Sequence, residues 1–205
     1  MRKILVCLAL ATSTAAADPS VTEARKLDGF TGLDISAILD VKVTIGSPAK
    51  VELRGPKDWL AKLQTKVEKG ELVVSMPGKF NNVPKLEMFV TMPALTSIDL
   101  SGVVSLTAGK ISGKALEVDV SGVGSVVLAG AVDSLKIEGS GASSIDAQKL
   151  ITSTTEIDLS GAGEATVYAT KQLAVDLSGA GAVTAYGKPA SVRKSISGVG
   201  SLDVR

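Results

Sequence analysis

The feature that most restricts what this chain can become is a Ser-Gly pair that returns at nearly constant spacing. It stands at Ser101-Gly102, Ser121-Gly122, Ser140-Gly141, Ser160-Gly161, Ser178-Gly179 and Ser197-Gly198, at intervals of 20, 19, 20, 18 and 19 residues. Most copies place a second small residue two positions after the glycine: Gly124, Ser143, Gly163, Gly181 and Gly200, with Val104 in the first copy. A degenerate earlier copy lies at Ser36-Ala37. Aligned on the serine, the copies alternate apolar and polar residues on both sides, as in Leu116, Val118, Val120 before one corner and Val126, Leu128 after it. A period of two is that of a strand with one face inward. Each repeat reads as strand, Ser-Gly-x-Gly corner, strand and return segment. Glycine suits the corner because a sharp bend needs φ > 0 or leaves no room for a Cβ.

A two-strand unit of this length cannot bury its own apolar face, but it can when stacked in register on its neighbours. Equivalent residues then form files about 4.8 Å apart, joined by parallel ladders. The expected fold is all-β: a single-stranded β-helix, or β-solenoid, with a dry lumen of Val, Ile, Leu and Ala free of polar atoms. An antiparallel sandwich also fits short alternating strands, but it does not explain the fixed period. The regular repeats occupy residues 94–205. Residues 18–93 read as an irregular start and cap of the same domain. Val41–Ile45, Val51–Leu53, Glu71–Met76 and Leu86–Met92 read as strands there, and Pro56–Leu63 as a short helix. Trp59 is expected to anchor that helix to the coil.

Residues 1–17 have the layout of a secretory signal peptide. Arg2 and Lys3 precede an apolar run from Ile4 to Leu10, and Ala15-Ala16-Ala17 offers a cleavage site before Asp18. The run is far shorter than the ~20 residues that span a bilayer, and no other segment is a transmembrane candidate. A mature chain starting at Asp18, in the periplasm, secreted or at the cell surface, has neither His nor Cys, because Cys7 is removed and the sequence contains no His. Ser-His-Asp and Cys-His nucleophiles, zinc on His or Cys, haem on His, iron–sulfur ligation and disulfides are thereby excluded. With 22 Lys+Arg against 21 Asp+Glu, the formal charge of +1 leaves no footprint for nucleic acid.

Taken together, the repeated unit Ser160-Gly161-Ala162-Gly163-Glu164-Ala165, its copy Ser178-Gly179-Ala180-Gly181-Ala182-Val183, the lead-in Met92-Pro93-Ala94-Leu95-Thr96-Ser97-Ile98 and the strand Gly70-Glu71-Leu72-Val73-Val74 resemble the head GIN domain family of auto-transporter adhesin heads. The resemblance covers roughly residues 30–205. It implies a right-handed β-helix of pectin-lyase-like shape without the lyases' catalytic residues, and an adhesive role at a cell surface toward a glycan or protein. The sequence departs from an autotransporter in having no heptad stalk and in stopping at Arg205 without a membrane barrel.

Two files of side chains could carry chemistry. Asp34, Asp99, Asp119, Glu138, Asp158 and Asp176 stand two residues before their serines, facing outward one rung apart, with Ser195 in the last copy. Asp99, Asp119, Glu138, Asp158 and Asp176 are candidate ligands for Ca²⁺, which takes several carboxylate oxygens; no other cofactor is implied. A carboxylate pair for glycoside chemistry, in a polysaccharide-active enzyme, is the rival reading, and a solvated polar face the plainest. Lys136 and Arg193 share the outward parity and could offset the charge. Tyr168 and Tyr186 fall at one repeat position, as a partner or sugar contact or a cross-strand aromatic pair. The repeated serines lack a histidine to activate them and read as a hydroxyl ladder. Lys194 interrupts an inward apolar column in the last copy. The chain ends without a recognisable cap, and an uncovered edge of this kind is expected to pair with a second copy. The favoured function is a non-enzymatic adhesion or binding module; a Ca²⁺-stabilised structural coil is a further alternative.

Overall fold

The computed structural model describes residues 20–205; the expected signal peptide lies outside the described residues. After β1 (Ser20–Arg25), the strands β2 (Gly32–Ser36) and β3 (Ile38–Ile45) form one coil bent at Ala37. The chain then leaves the coil through β4 (Lys50–Pro56), the single-turn helix α1 (Lys57–Leu60), the hairpin β5 (Gln64–Glu68) and β6 (Glu71–Ser75), and β7 (Glu87–Met92). It returns as β8 (Ser97–Leu100) and β9 (Val103–Val120) and winds on through β10 (Val123–Gly139), β11 (Ala142–Leu159), β12 (Glu164–Leu177), β13 (Ala182–Tyr186), β14 (Ser191–Ile196) and β15 (Ser201–Val204).

Every ladder between successive coils is parallel, and the strands leading into each Ser-Gly corner stay in register. Ile98 pairs with Val118, Val118 with Ile137, Ile137 with Ile157, Ile157 with Val175 and Val175 with Lys194. This is a β-solenoid of about 5 turns. The return segment expected between strands is itself strand: β9 to β11 run 17 or 18 residues from one Ser-Gly corner to the next. They turn their other corner at bulges, such as the register shift between Val127 and Ala129.

The order of the first coils departs from the chain order. Strand β2 lies between β6 and β8, and β3 between β7 and β9. The segment from β4 to β7 therefore crosses to the far side of the first coil and builds a further rung there, before the chain passes back to continue the stack. Ser36 and Ser101 are neighbours on successive rungs although 65 residues separate them. Antiparallel additions finish this end: β5 on β6, β4 on β7 and β1 on β4. The helix is one turn, shorter than the 56–63 reading, because Leu63 is buried and Gln64 already enters β5. Trp59 packs against the core and edge-on to Phe80 at 5.6 Å, with Lys62 Nζ 3.8 Å from its ring centre, so it ties α1 to the coil and to the loop between β6 and β7.

The Ser-Gly corner has a specific steric cause. None of Gly102, Gly122, Gly141, Gly161, Gly179 or Gly198 has a positive φ. Each Cα instead stands directly over the carbonyl of the residue one rung below, Ala37 or the preceding corner glycine. Those carbonyls accept the N–H that follows each glycine: Val123 to Gly102 at 3.0 Å, Ala142 to Gly122, Ala162 to Gly141 and Ala180 to Gly161 at 3.1 Å. A Cβ would occupy that carbonyl's place.

The lumen is apolar with one polar break, which corrects the expectation of a core without polar atoms. Thr155 takes the place between Leu135 and Leu173. Both Thr152 and Thr155 are buried, and their hydroxyls lie 2.6 Å apart. Thr152 also donates to the Tyr168 carbonyl at 2.8 Å. The pair is self-satisfying, so its burial costs little. Ser143 is different. It is buried on the floor of its corner, and its Oγ finds no partner among the described residues. Ser143→Ala is expected to raise stability by about 1 kcal/mol through loss of an unsatisfied buried hydroxyl; a urea titration checks this, and a fall in midpoint would contradict it.

Candidate functional site

The stack brings the acidic file together as its alternation required. Asp34, Asp99, Asp119, Glu138, Asp158 and Asp176 are partners on successive rungs, with Ser195 following. Burial, first, and then carboxylate neighbours push three of them above the ordinary range: Asp34 next to Glu71, Asp99 next to Asp119 and Asp34, and Asp119 next to Glu138. Glu71 stands beside the file at the cap end, paired with Gly32 while Val73 pairs with Asp34, and accepts from Ser97 Oγ at 3.3 Å; it arrives through the inserted segment, outside the repeat. Lys136 Nζ lies 2.9 Å from Glu138 Oε1 and lowers the Asp119 value, the compensation its outward parity allowed. Among the described residues no group of three or more acidic side chains could hold a metal ion.

The folded state binds extra protons on Asp34, Asp99 and Asp119 between the ordinary carboxylate value near 4 and their raised values. Their contribution to stability is therefore fully present at and below about pH 4 and is lost as pH rises through the raised values. Asp119→Asn is expected to raise the stability at pH 7 by up to about 1 kcal/mol, discounted for screening, with the gain, read by urea titration, shrinking toward pH 4 and in high salt. Calcium is expected to shift wild type no more than magnesium or sodium at equal ionic strength. A calcium-specific rise abolished by chelator would support the cation reading instead.

The other candidates divide. Tyr168 and Tyr186 are register partners, both half-buried. Their rings form no aromatic pair; the one ring pair among the described residues is Trp59 with Phe80. Tyr186 OH instead accepts from Arg205 at 3.5 Å. Of the serine hydroxyls, Ser36 and Ser101 meet at 2.6 Å and Ser160 donates to the Gly139 carbonyl at 3.5 Å, so the expected hydroxyl ladder is broken. Lys194 is exposed on the last coil.

A large concave feature lies elsewhere, on the outer side of the Ser-Gly corner. The residue between the two small positions, x in Ser-Gly-x-Gly, points outward on every rung. Ile38, Val103, Val123, Ala142, Ala162, Ala180 and Val199 thus make one apolar file along the coil axis. Val103 and Val123 are 51% and 56% exposed, unusual for valine in a strand. The file forms the apolar line of a groove of about 990 Å³. Ser105, Ser125 and Ser144 stand along it, and the loop Val83–Leu86 walls it at the cap end. Its charged lining residues are Asp40, Lys85 and Glu164. Lys85 Nζ is 3.7 Å from Asp40 and 3.2 Å from Glu87. Apolar residues at x break the polar-outward parity of their strands, which marks the file in the sequence but not the hollow beside it.

Fold and groove together define a capped parallel β-solenoid with a continuous apolar corner. Residues 29–189 match the family described as "Putative auto-transporter adhesin, head GIN domain", and the chain belongs to that family. Solved structures share the fold. One from Bacteroides fragilis, described as a putative adhesin, is 21% identical with TM-score 0.75 and covers 92% of this chain and 98% of its own. One from Parabacteroides merdae, also described as a putative adhesin, is 16% identical with TM-score 0.56, covering 91% and 96%. One from Parabacteroides distasonis, described as a putative lipid binding protein, is 18% identical with TM-score 0.54, covering 91% and 96%. No curated protein matches the chain in sequence. Among the described residues no helix is long and apolar enough to cross a membrane.

Proposed function

We propose that the protein is an exported, non-enzymatic adhesion module that meets its partner through the corner groove. The observation that carries this reading is the apolar file itself, exposed over seven successive rungs on a rigid parallel scaffold. Soluble proteins rarely leave a contiguous apolar surface of this kind without a use for it. The residues before Asp18 support export, to the periplasm or the cell surface. The uniform acidic file supports a non-enzymatic role, since like neighbours along one ladder supply no contrast between an acid and a base. The lipid-binding description of one structural neighbour agrees with an apolar contact surface better than with a glycan platform.

The test is attachment of the labelled, purified protein to intact cells and envelope fragments of the producing organism. Val123→Lys/Ala162→Lys, with an unchanged melting curve, is expected to weaken attachment at least tenfold. Undiminished attachment would remove the groove as the binding face, and loss on Tyr168→Ala alone would transfer that role to the tyrosine face. The mass of the exported protein tests cleavage after Ala17.

A further inference from the structure

The two ends of the coil are finished differently. At the cap end the apolar interior is covered: β5 lies outside β6, β4 and β1 lie outside β7, and Phe30, Leu60 and Leu63 are buried in that end. At the far end, among the described residues, β14 pairs only with β12 and β15 only with β13, so one side of each ladder is open. The inward file runs on into this last coil. Val192, Lys194, Ile196, Leu202 and Val204 stand over Leu173, Val175, Leu177, Val183 and Ala185, all of which are buried. Val192 and Val204 are 43% and 42% exposed, and Ile196 and Leu202 are half-buried. The mouth of the lumen is thus apolar and uncovered, and Lys194 is the one charged residue in its inward set.

We infer that this mouth is a latent interface for a second copy of the chain, and that the Lys194 ammonium keeps it shut. The surface that matches an open strand edge around an apolar lumen is another end of the same kind. Two such ends, related by a two-fold axis across the coil, would bring their edge strands together antiparallel and join two lumens into one. The covered cap end offers no such surface, so association would close at two copies instead of growing into a filament. In the single chain Lys194 is exposed and its ammonium stays in water. Face to face, the ammonium groups of both copies would be enclosed in the shared lumen. No acid awaits them there. Asp176 and Asp203 stand on the outward parity of their strands, and Asp203 is already 2.7 Å from Arg205. An unpaired charge taken out of water is costly, and here there would be two. Slipping β14 by one residue to turn Lys194 outward would turn Val192 and Ile196 outward with it. Inward-pointing charge of this kind is a way to keep a free edge from pairing.

Sedimentation velocity over a concentration series reads the outcome. Wild type is expected to run as a monomer. Lys194→Val, which restores the residue type of its column, should form a dimer about a hundredfold or more tighter than any wild-type association, the scale set by an uncompensated buried charge. Lys194→Met should do the same, and Lys194→Arg should run with wild type. Arg193→Gln removes the same charge from the outer face of the same strand and should leave a monomer. Val204→Lys added to Lys194→Val returns an ammonium to the mouth and should dissolve the dimer. Should valine lower the melting temperature, Lys194→Met decides. Folded Lys194→Val or Lys194→Met that stays monomeric would overturn the inference. So would a wild type that dimerises as tightly as Lys194→Val, equal dimerisation by Arg193→Gln, or a dimer that survives Val204→Lys. Assemblies larger than two copies would show that the cap end takes part and would overturn the two-fold interface.

Discussion

Gly161→Val is expected to break the coil where it stands. The new Cβ would enter the place of the Gly141 carbonyl and come within 2.8 Å of the Ser140 carbonyl oxygen. Both are backbone, held by the ladder above and below, so neither can rotate away. The Ala162 amide bond to Gly141 would be lost with them. A destabilisation of 4 kcal/mol or more, on the order of the largest single-residue effects, follows, and alanine at the same site should cost nearly as much because its Cβ occupies the same point. Gly109 supplies the contrast. It has ordinary φ and nothing within 4 Å of a Cβ. Gly109→Ala is expected to be neutral or to stabilise by up to about 1 kcal/mol through a less flexible unfolded chain. Chemical denaturation of both variants checks the pair. A mild Gly161→Val would mean that the corner can open, and the stacked-carbonyl explanation would fail.

Leu128→Ala should come second in size. Leu128 is fully buried and pairs with Ala108 on the rung below; the bulge after Val127 shifts the register above it. Large beside small fills the lumen at this level, and truncation places two alanines on adjacent rungs. A solenoid contacts only its neighbouring coils, so little can collapse into the gap, and a loss of about 3–5 kcal/mol is expected for a cavity that stays open. Hydrogen exchange should show the loss concentrated in β9 to β11. Ala108→Leu added to Leu128→Ala returns the missing volume from one rung away. Recovery of a third or more of the lost stability in urea would support this packing, whereas a loss under 1 kcal/mol for the single variant would refute it.

Much of this architecture was readable from the chain because a solenoid converts sequence period directly into spatial register. The intervals between Ser101 and Ser197, with alternating apolar residues around them, placed Asp99, Asp119, Glu138, Asp158 and Asp176 on one line. The same alternation placed Tyr168 beside Tyr186 and Lys194 beside Val175. The insertion between Ser36 and Ser101 was less readable. Its strands β4, β6 and β7 have visible alternation, but which side of the first coil they join depends on contacts distant in sequence. Strands β1 and β5 were missed because they are exposed edge strands with little buried surface to impose a pattern. The groove was missed for a different reason. Its residues occupy the corner, where period-two parity gives no indication of whether the bend is convex or concave.

Repetition in the chain therefore dictated the stack, its files and its apolar interior, since identical short units can bury their surfaces only on one another. Folding in three dimensions settled the rest: the hop of β6 and β7 across the first coil, the neighbour pair Ser36 and Ser101, the self-satisfied Thr152 and Thr155, and the hollow along Val103, Val123 and Ala142. Each of these depends on where backbone bends and distant segments meet, and no local pattern of polarity encodes that.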